Sequence, residues 1–516
     1  MTTAFSDESL VQKYHVKGPR YTSYPTALLL QSNFAPQTAL EALQNAGPAL
    51  SLYVHIPFCR QLCYYCGCNK VISRDQQKAD RYLATLVREM AFYHNACQQQ
   101  QVQQLHLGGG TPTFLDEPQL RLLLRELRRY FRFSADAELS IEIDPRSCDA
   151  AKLAVLVELG FRRVSFGVQD FDAKVQQAIH REQSYALVAQ LVQAARTQGI
   201  ESVNLDLVYG LPYQSLSGFA ATLQQVLTLD PDRISMFSYA HLPERFAAQR
   251  KIASDTLPDA ATKLALLALA VDTLTAAGYV AIGMDHFAKP HDPLAIAQQQ
   301  GVLKRNFQGY TTDNTDALLG LGVSAISQVG AAIWQHEKDL TLYYRQHMSA
   351  AAPEMDEVCA SSAHRMCQTS DVAAELKADV PHEHHAADRF SPNLKPEIAP
   401  EIASEIAPEL APIPSHAIQK GMLLSRDDLI RADIIAELMC NFKLDTAKVA
   451  ARWQLDFGDY FAQSLRQLDM PLADGLIQWQ HHQLQVTARG RPWVRVIAAC
   501  FDAYLLEQQQ RYSSVV

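Results

Sequence analysis

Between residues 50 and 240 two hydrophobic rhythms alternate along the chain. Short runs at 51–56, 102–107, 138–143, 163–168, 202–208 and 233–239 have the length and β-rich content of strands. Between them, stretches at 79–94, 118–131, 150–159, 185–198 and 217–229 carry apolar residues at helical spacing. Strand and helix in such alternation predict βα units on a parallel sheet, an α/β fold. Six consecutive units fit an open, partial (β/α)6 barrel at least as well as a doubly wound sheet, and the pattern alone leaves both open. Each run also ends in residues suited to a site: Pro57-Phe58-Cys59, Gly108-Gly109-Gly110-Thr111-Pro112, Glu142 and Asp144, Gln169, Asp206, and Tyr239-Ala240-His241. Chemistry in βα barrels gathers at those C-terminal strand ends.

The rhythm then changes. Eight of the chain's 24 prolines lie in 349–416, where units like Glu-Ile-Ala-Pro recur every four residues from Glu397. Proline at that density denies the segment a regular helix or central strand. It reads as an extended or disordered insertion, and His382, His384, His385, Cys359 and Cys367 as features of a linker. Beyond it come helical patterns at 428–439, 447–452 and 460–470, short runs at 476–479 and 484–486, and a last helix from 492 to about 506. They predict a mostly helical accessory domain of winged-helix type. The expected division is an arm, 1–48; the barrel and its extension, 49–348; the insertion, 349–416; and the accessory domain, 417–516.

Composition narrows function more than fold. Apolar residues make up 48% and charged residues 20% of 516, the balance of a globular enzyme. The formal charge of −9 argues against a nucleic-acid binder, and the accessory domain shows no basic recognition helix. Most of that charge has one address, for the insertion carries twelve acidic and four basic side chains. A locally basic pocket is therefore compatible with the total. No apolar run approaches the roughly 18–20 residues of a membrane span, and no leader pattern opens the chain, so a cytoplasmic protein is expected.

Four of the ten cysteines crowd into ten positions: Cys59, Cys63, Cys66 and Cys68. In a reducing compartment such a group binds metal or does chemistry rather than forming disulfides. Three thiolates spaced C-x3-C-x2-C can wrap a [4Fe–4S] cubane and leave one iron open. Structural zinc with Cys68 as fourth ligand is the competing reading. Its sites usually pair two separated knuckles, and the one-residue gap from Cys66 to Cys68 makes shared ligation awkward.

This loop, with Tyr65 before its last cysteine, and the glycine-rich 108–112 motif resemble the signature of radical S-adenosylmethionine enzymes. Pro19-Arg-Tyr-Thr-Ser-Tyr-Pro-Thr26, Gly67-Cys68-Asn69-Lys70, Gly283-Met-Asp-His-Phe287 and Arg305-Asn-Phe-Gln-Gly-Tyr310 narrow the resemblance to the oxygen-independent coproporphyrinogen III oxidases. It extends over nearly the whole chain outside the insertion. It implies a partial barrel of radical-SAM type, one [4Fe–4S] cluster on Cys59, Cys63 and Cys66, and two molecules of S-adenosylmethionine. Tyr53, Gly109, Glu142 and Ile326 would touch the first. Gly110, Thr111, Gln169, Arg181, Asp206 and Ala240, with Tyr65 and Cys68 nearby, would touch the second.

The implied reaction begins with one-electron cleavage of S-adenosylmethionine. The resulting 5′-deoxyadenosyl radical takes hydrogen from the β-carbon of a propionate. Loss of carbon dioxide and one electron leaves a vinyl group, twice over, turning coproporphyrinogen III into protoporphyrinogen IX. No side chain is expected as catalyst, because no side-chain base removes that proton and the cofactor carries the chemistry. A reductant such as flavodoxin or ferredoxin, a further electron acceptor and a monomeric chain are expected. Arg20, Lys70, Lys289 and Arg305 are the candidate partners for the substrate's four carboxylates, and Tyr21 and Tyr24 are expected to fold over the barrel mouth. The nearest rival is a haem chaperone of the same superfamily. Such relatives resemble this chain in the cysteine and glycine motifs but generally lack the Cys68 extension and the 19–26 arm.

Overall fold

The computed structural model describes residues 8–14, 16, 18–312, 315–348 and 417–505. The insertion, with its histidines and two cysteines, lies outside the described residues. Six strands, β1 (Ala49–Ile56), β2 (Gln101–Gly109), β3 (Phe133–Ile143), β4 (Arg163–Gln169), β5 (Ser202–Tyr209) and β6 (Arg233–Ser238), pair in parallel in chain order. That order never reverses, which selects the open barrel over the doubly wound sheet. The connecting helices are α1 (Gln77–His94), α2 (Glu117–Tyr130), α3 (Ala150–Glu158), α4 (Tyr185–Thr197) and α5 (Leu216–Thr228). Asp116, Asp149, Ser184 and Ser215 cap the last four by accepting from backbone N–H groups of the first turn.

The strands alternate in a way that points polar side chains into the barrel. Leu105-His106-Leu107, Ile141-Glu142-Ile143, Val164-Ser165-Phe166, Leu205-Asp206-Leu207 and Ile234-Ser235-Met236 each put two apolar residues into the core around one that lines the barrel. Burying each large apolar side chain is worth roughly 1.5–3 kcal/mol. A one-residue slip would turn that set inward, so the register is firmly held.

The sheet grows at both edges to twelve strands. Beyond β6 lie the antiparallel His286–Ala288 and Val280–Ile282; beyond β1 lie the parallel Ala317–Leu321 and then Ile326–Val329, Ala332–His336 and Ile418–Leu423. Residues 418–423 thus complete the large sheet.

A second core gathers Ile434, Leu438, Trp493 and Phe501 from the C-terminal region and Leu10, Tyr14, Tyr21 and Tyr24 from the arm. The two tyrosines expected over the mouth are therefore buried here, where Tyr21 Oη donates to Asp502 (2.9 Å) and Tyr24 Oη accepts from Ala503 N (3.0 Å). The helix expected over 460–470 is broken into Phe457–Tyr460, Ala462–Gln467 and Asp469–Ala473. Pro471, which has no N–H to donate, lies in the last of these. The last helix, Val494–Ala499, ends several residues before 506, at a turn where Asp502 accepts from Tyr504 N (2.8 Å). Among the described residues no helix is long and apolar enough to cross a membrane.

Candidate active site

β1 runs directly into the cysteine loop, whose base is pinned by Val71 N to Pro57 O (2.7 Å) and Ser73 N to Cys59 O (3.0 Å). Cys59 and Cys66 are half-buried, Cys63 is buried and Cys68 exposed, all four as free thiols. Thr111 Oγ1 donates to Cys59 Sγ (3.3 Å), and Arg146 and Arg181 donate to Cys63 Sγ (3.5 and 3.6 Å). Burial pushes the Cys59 thiol up to about 12, whereas the Cys68 thiol, and then Lys70 against the effect of burial, bring Cys66 down to about 6. Donors aimed at sulfur favour thiolate, the form that ligates iron. Sulfurs spread along a loop suit the separate irons of a cubane.

The glycine motif ends β2 against this loop. Gly109 has φ +113°, and a Cβ there would lie 2.6 Å from the His55 ring; one on Gly110 would lie 2.6 Å from Pro57 O. Only glycine fits both places. Gly109 N donates to Glu142 Oε2 (3.1 Å), and His106 Nε2 stands 3.5 Å from Glu142 Oε1. Burial raises the Glu142 carboxyl, but His106 and that N–H outweigh it and hold it below its usual range. Tyr53 stacks on His106, ring centres 6.0 Å apart, and its register partner Gly320 abuts the Ile326 carbonyl. Gly109 and Glu142 line the cavity inside the barrel, whereas Tyr53 and Ile326 are not among its lining residues.

The remaining strand ends carry the second set. Gln169 adopts φ +68°, the left-handed region that side-chain-bearing residues rarely use. Asp206 accepts from Ser165 (2.9 Å) and Asn204 (2.8 Å), and burial, followed by the Glu142 charge, pushes its carboxyl up to about 6. Arg181 spends its terminal nitrogens on Asp144 (3.2 Å) and the Gly167 carbonyl (2.8 Å), which leaves no two-pronged grip for a cofactor carboxylate; its buried Nε has no partner. The Ala240 carbonyl accepts from Gln249 Nε2 (3.1 Å), which also donates to the Tyr65 carbonyl (2.9 Å). An orphaned buried guanidinium donor and a three-cysteine loop with donors aimed at two of its sulfurs fit an iron–sulfur cluster with an amino-acid-bearing cofactor.

These ends open onto a cavity of about 730 Å³ inside the barrel. Gly110, Thr111, Gln169, Arg181, Asp206, Ala240, Tyr65 and Cys68 line it, as do Arg20 and Lys70, whose Nζ donates to Cys66 O (2.8 Å). The structure does not bring Lys289 or Arg305 to its surface. Lys289 Nζ pairs with Asp230 (2.9 Å), before β6 and so at the opposite end of the barrel. Arg305 is buried with Asp285 (3.8 Å), its guanidinium 4.4 Å from the Tyr310 ring centre. Sequence reasoning missed Arg146 and Gln249. Arg146 follows the strand-end Asp144 by two residues, a readable signal; Gln249 had none.

Residues 53–226 match the Radical SAM superfamily and residues 424–493 the HemN C-terminal domain. The chain is 43% identical to the oxygen-independent coproporphyrinogen III oxidase of Escherichia coli K12, over 99% of this chain and 98% of that one. Identity to the enzymes of Pseudomonas aeruginosa and Synechocystis sp. is 42% (99% and 98% covered) and 40% (100% and 99% covered). The solved coproporphyrinogen III oxidase (HemN) from Escherichia coli, described as a radical SAM enzyme, matches with a TM-score of 0.80 at 42% identity, over 97% of this chain and 99% of that one. Likeness of this extent, on a barrel with this cysteine loop, means that the chain belongs to the family of oxygen-independent coproporphyrinogen III oxidases within the radical SAM superfamily.

Proposed function

We propose that the chain converts two propionates of coproporphyrinogen III to vinyl groups without oxygen, giving protoporphyrinogen IX in haem synthesis. The observation that carries this reading is a cluster-type cysteine loop opening onto a large cavity, lined by charged and apolar groups together, at the same strand ends. Cys59, Cys63 and Cys66 would hold the [4Fe–4S] cluster. Tyr53, Gly109, Glu142 and Ile326 would receive S-adenosylmethionine there; Gly110, Thr111, Gln169, Arg181, Asp206 and Ala240, beside Tyr65 and Cys68, would receive a second molecule. When bound, these cofactors supply a carbon radical able to take hydrogen from an unactivated C–H bond.

The chain itself orients and excludes water. Ionised Glu142 can accept from an ammonium or hydroxyl, and Arg181 Nε can donate to a carboxylate. Gly109 and Gly110 let the end of β2 pack directly against His55 and Pro57 at the base of the cysteine loop. Arg20 and Lys70 are the predicted cations that reach the substrate space. Each propionate gives up one hydrogen atom from its β-carbon, one carbon dioxide and one electron. A flavodoxin or ferredoxin would supply the reducing electron and a separate acceptor would take the surplus one, with the chain a cytoplasmic monomer.

Anaerobic reconstitution tests this. The expected result is about four irons per chain and carbon dioxide released from coproporphyrinogen III when S-adenosylmethionine and a reductant are present. An intact cluster with bound haem and no decarboxylation would replace this reading with the haem chaperone.

A further inference from the structure

Five arginines line the cavity, and four of them have a protein carboxylate. Arg146 and Arg181 share Asp144 (2.7 and 3.2 Å), Arg163 pairs with Glu138, and Arg233 with Asp292 (2.7 Å). Arg20 has none among the described residues; it donates from Nη2 to the Ser238 carbonyl at the end of β6 (2.7 Å). Two more cations stand behind it. Lys263 Nζ donates to the Tyr239 carbonyl (3.0 Å). Arg495, 7% exposed, donates to the Pro19 carbonyl (3.0 Å) and to that of Gly18, so it grips the peptide that presents Arg20. Burial, and then the charges of Arg20 and Arg495, bring the Lys263 ammonium down to about 8. The nearby Asp285 is already taken by His286 (2.7 Å) and Arg305 (3.8 Å). Asp285 is also the carboxylate whose charge reaches Arg20, but it is not within ion-pair distance of it, and a half-buried planar guanidinium outside any ion pair matches an incoming carboxylate.

We propose that Arg20 anchors a propionate that the reaction retains, with Arg495 as the positioning residue that holds it in place. The choice of a retained group follows from charge. A carboxylate that leaves as carbon dioxide sheds its charge, so a guanidinium holding it would stabilise the ground state over the transition state and slow the step. On a carboxylate that stays, the same grip orients the macrocycle at no such cost. This rests on the coproporphyrinogen reading above.

The test is anaerobic equilibrium binding to the reconstituted enzyme of coproporphyrin III, the oxidised fluorescent tetra-acid, and of its tetramethyl ester. Arg20→Met is expected to weaken the tetra-acid about 30-fold and leave the ester unchanged, with Arg20→Lys recovering part of the loss. Arg495→Met should give a smaller loss, again confined to the acid. In turnover, KM should rise while kcat moves little. Unaltered acid binding in Arg20→Met would overturn the proposal, as would equal losses for acid and ester, which would mark a residue that merely shapes the cavity. A parent enzyme that releases no carbon dioxide from coproporphyrinogen III would overturn the underlying function; one that does so but binds the tetra-acid no better than the ester would overturn this proposal alone.

Discussion

Asp206 sits among Ser165, Asn204 and the charge of Glu142, and its carboxyl is pushed up to about 6. The folded state therefore holds this proton more tightly than the unfolded chain. Its stabilising contribution is complete below about pH 4 and is lost as the pH rises through 6. Asp206→Asn in the cofactor-free chain should then be more stable at pH 7 by on the order of 2 kcal/mol, with a flatter stability profile between pH 4 and 7. Thermal melts across that range check it; an unchanged slope would contradict it. The four cysteines separate by role. Replacing Cys59, Cys63 or Cys66 with serine should remove the iron chromophore, whereas Cys68→Ser should keep about four irons per chain. Metal lost with Cys68 as readily as with Cys66 would point to the four-thiolate zinc reading. At this scale sequence motifs located the site but not the direction in which long side chains point. Lys289 and Arg305 belong to family-like segments, yet Asp230 and Asp285 draw them into structural ion pairs, which no local pattern discloses.

Among the elements, α1 ties the barrel's first strand to the turn that follows Ala317–Leu321. Its Glu89, wholly buried, accepts from Gly322 N (3.0 Å), His336 Nδ1 (3.0 Å) and the Tyr343 hydroxyl. Two turns earlier on the same face, Tyr82 Oη accepts from Val323 N (3.0 Å) and donates to His55 O (2.6 Å), tying the turn after Ala317–Leu321 to β1. Glu89→Ala would strand several buried donors, so urea unfolding of the cofactor-free chain should show a loss on the order of 3–5 kcal/mol. A loss below about 1 kcal/mol would contradict the assignment. The six strands and five helices were legible because each carries its own period. The polar residue inside each apolar pair, such as Glu142 between Ile141 and Ile143, was equally readable as an inward-facing position. Strand Ile418–Leu423 was not, because its partner Ala332–His336 lies some eighty residues earlier and long-range pairing leaves no local mark.

For the molecule as a whole, the charge of −9 reports on the insertion and not on the site. Every residue assigned to the cluster, the cofactors or the substrate lies outside 349–416. Replacing 350–413 with a short Gly/Ser connector should leave iron content unchanged and turnover largely so; a collapse of turnover would give the segment a part in the reaction. The central claim is that the barrel brings a propionate β-carbon to a cofactor-derived radical. The most direct measurement uses coproporphyrinogen III deuterated at those β-carbons, with the reconstituted enzyme, S-adenosylmethionine and a reductant. The account predicts deuterium in the 5′-deoxyadenosine recovered and one carbon dioxide for each vinyl group formed. Vinyl groups appearing with no deuterium in the nucleoside would contradict it.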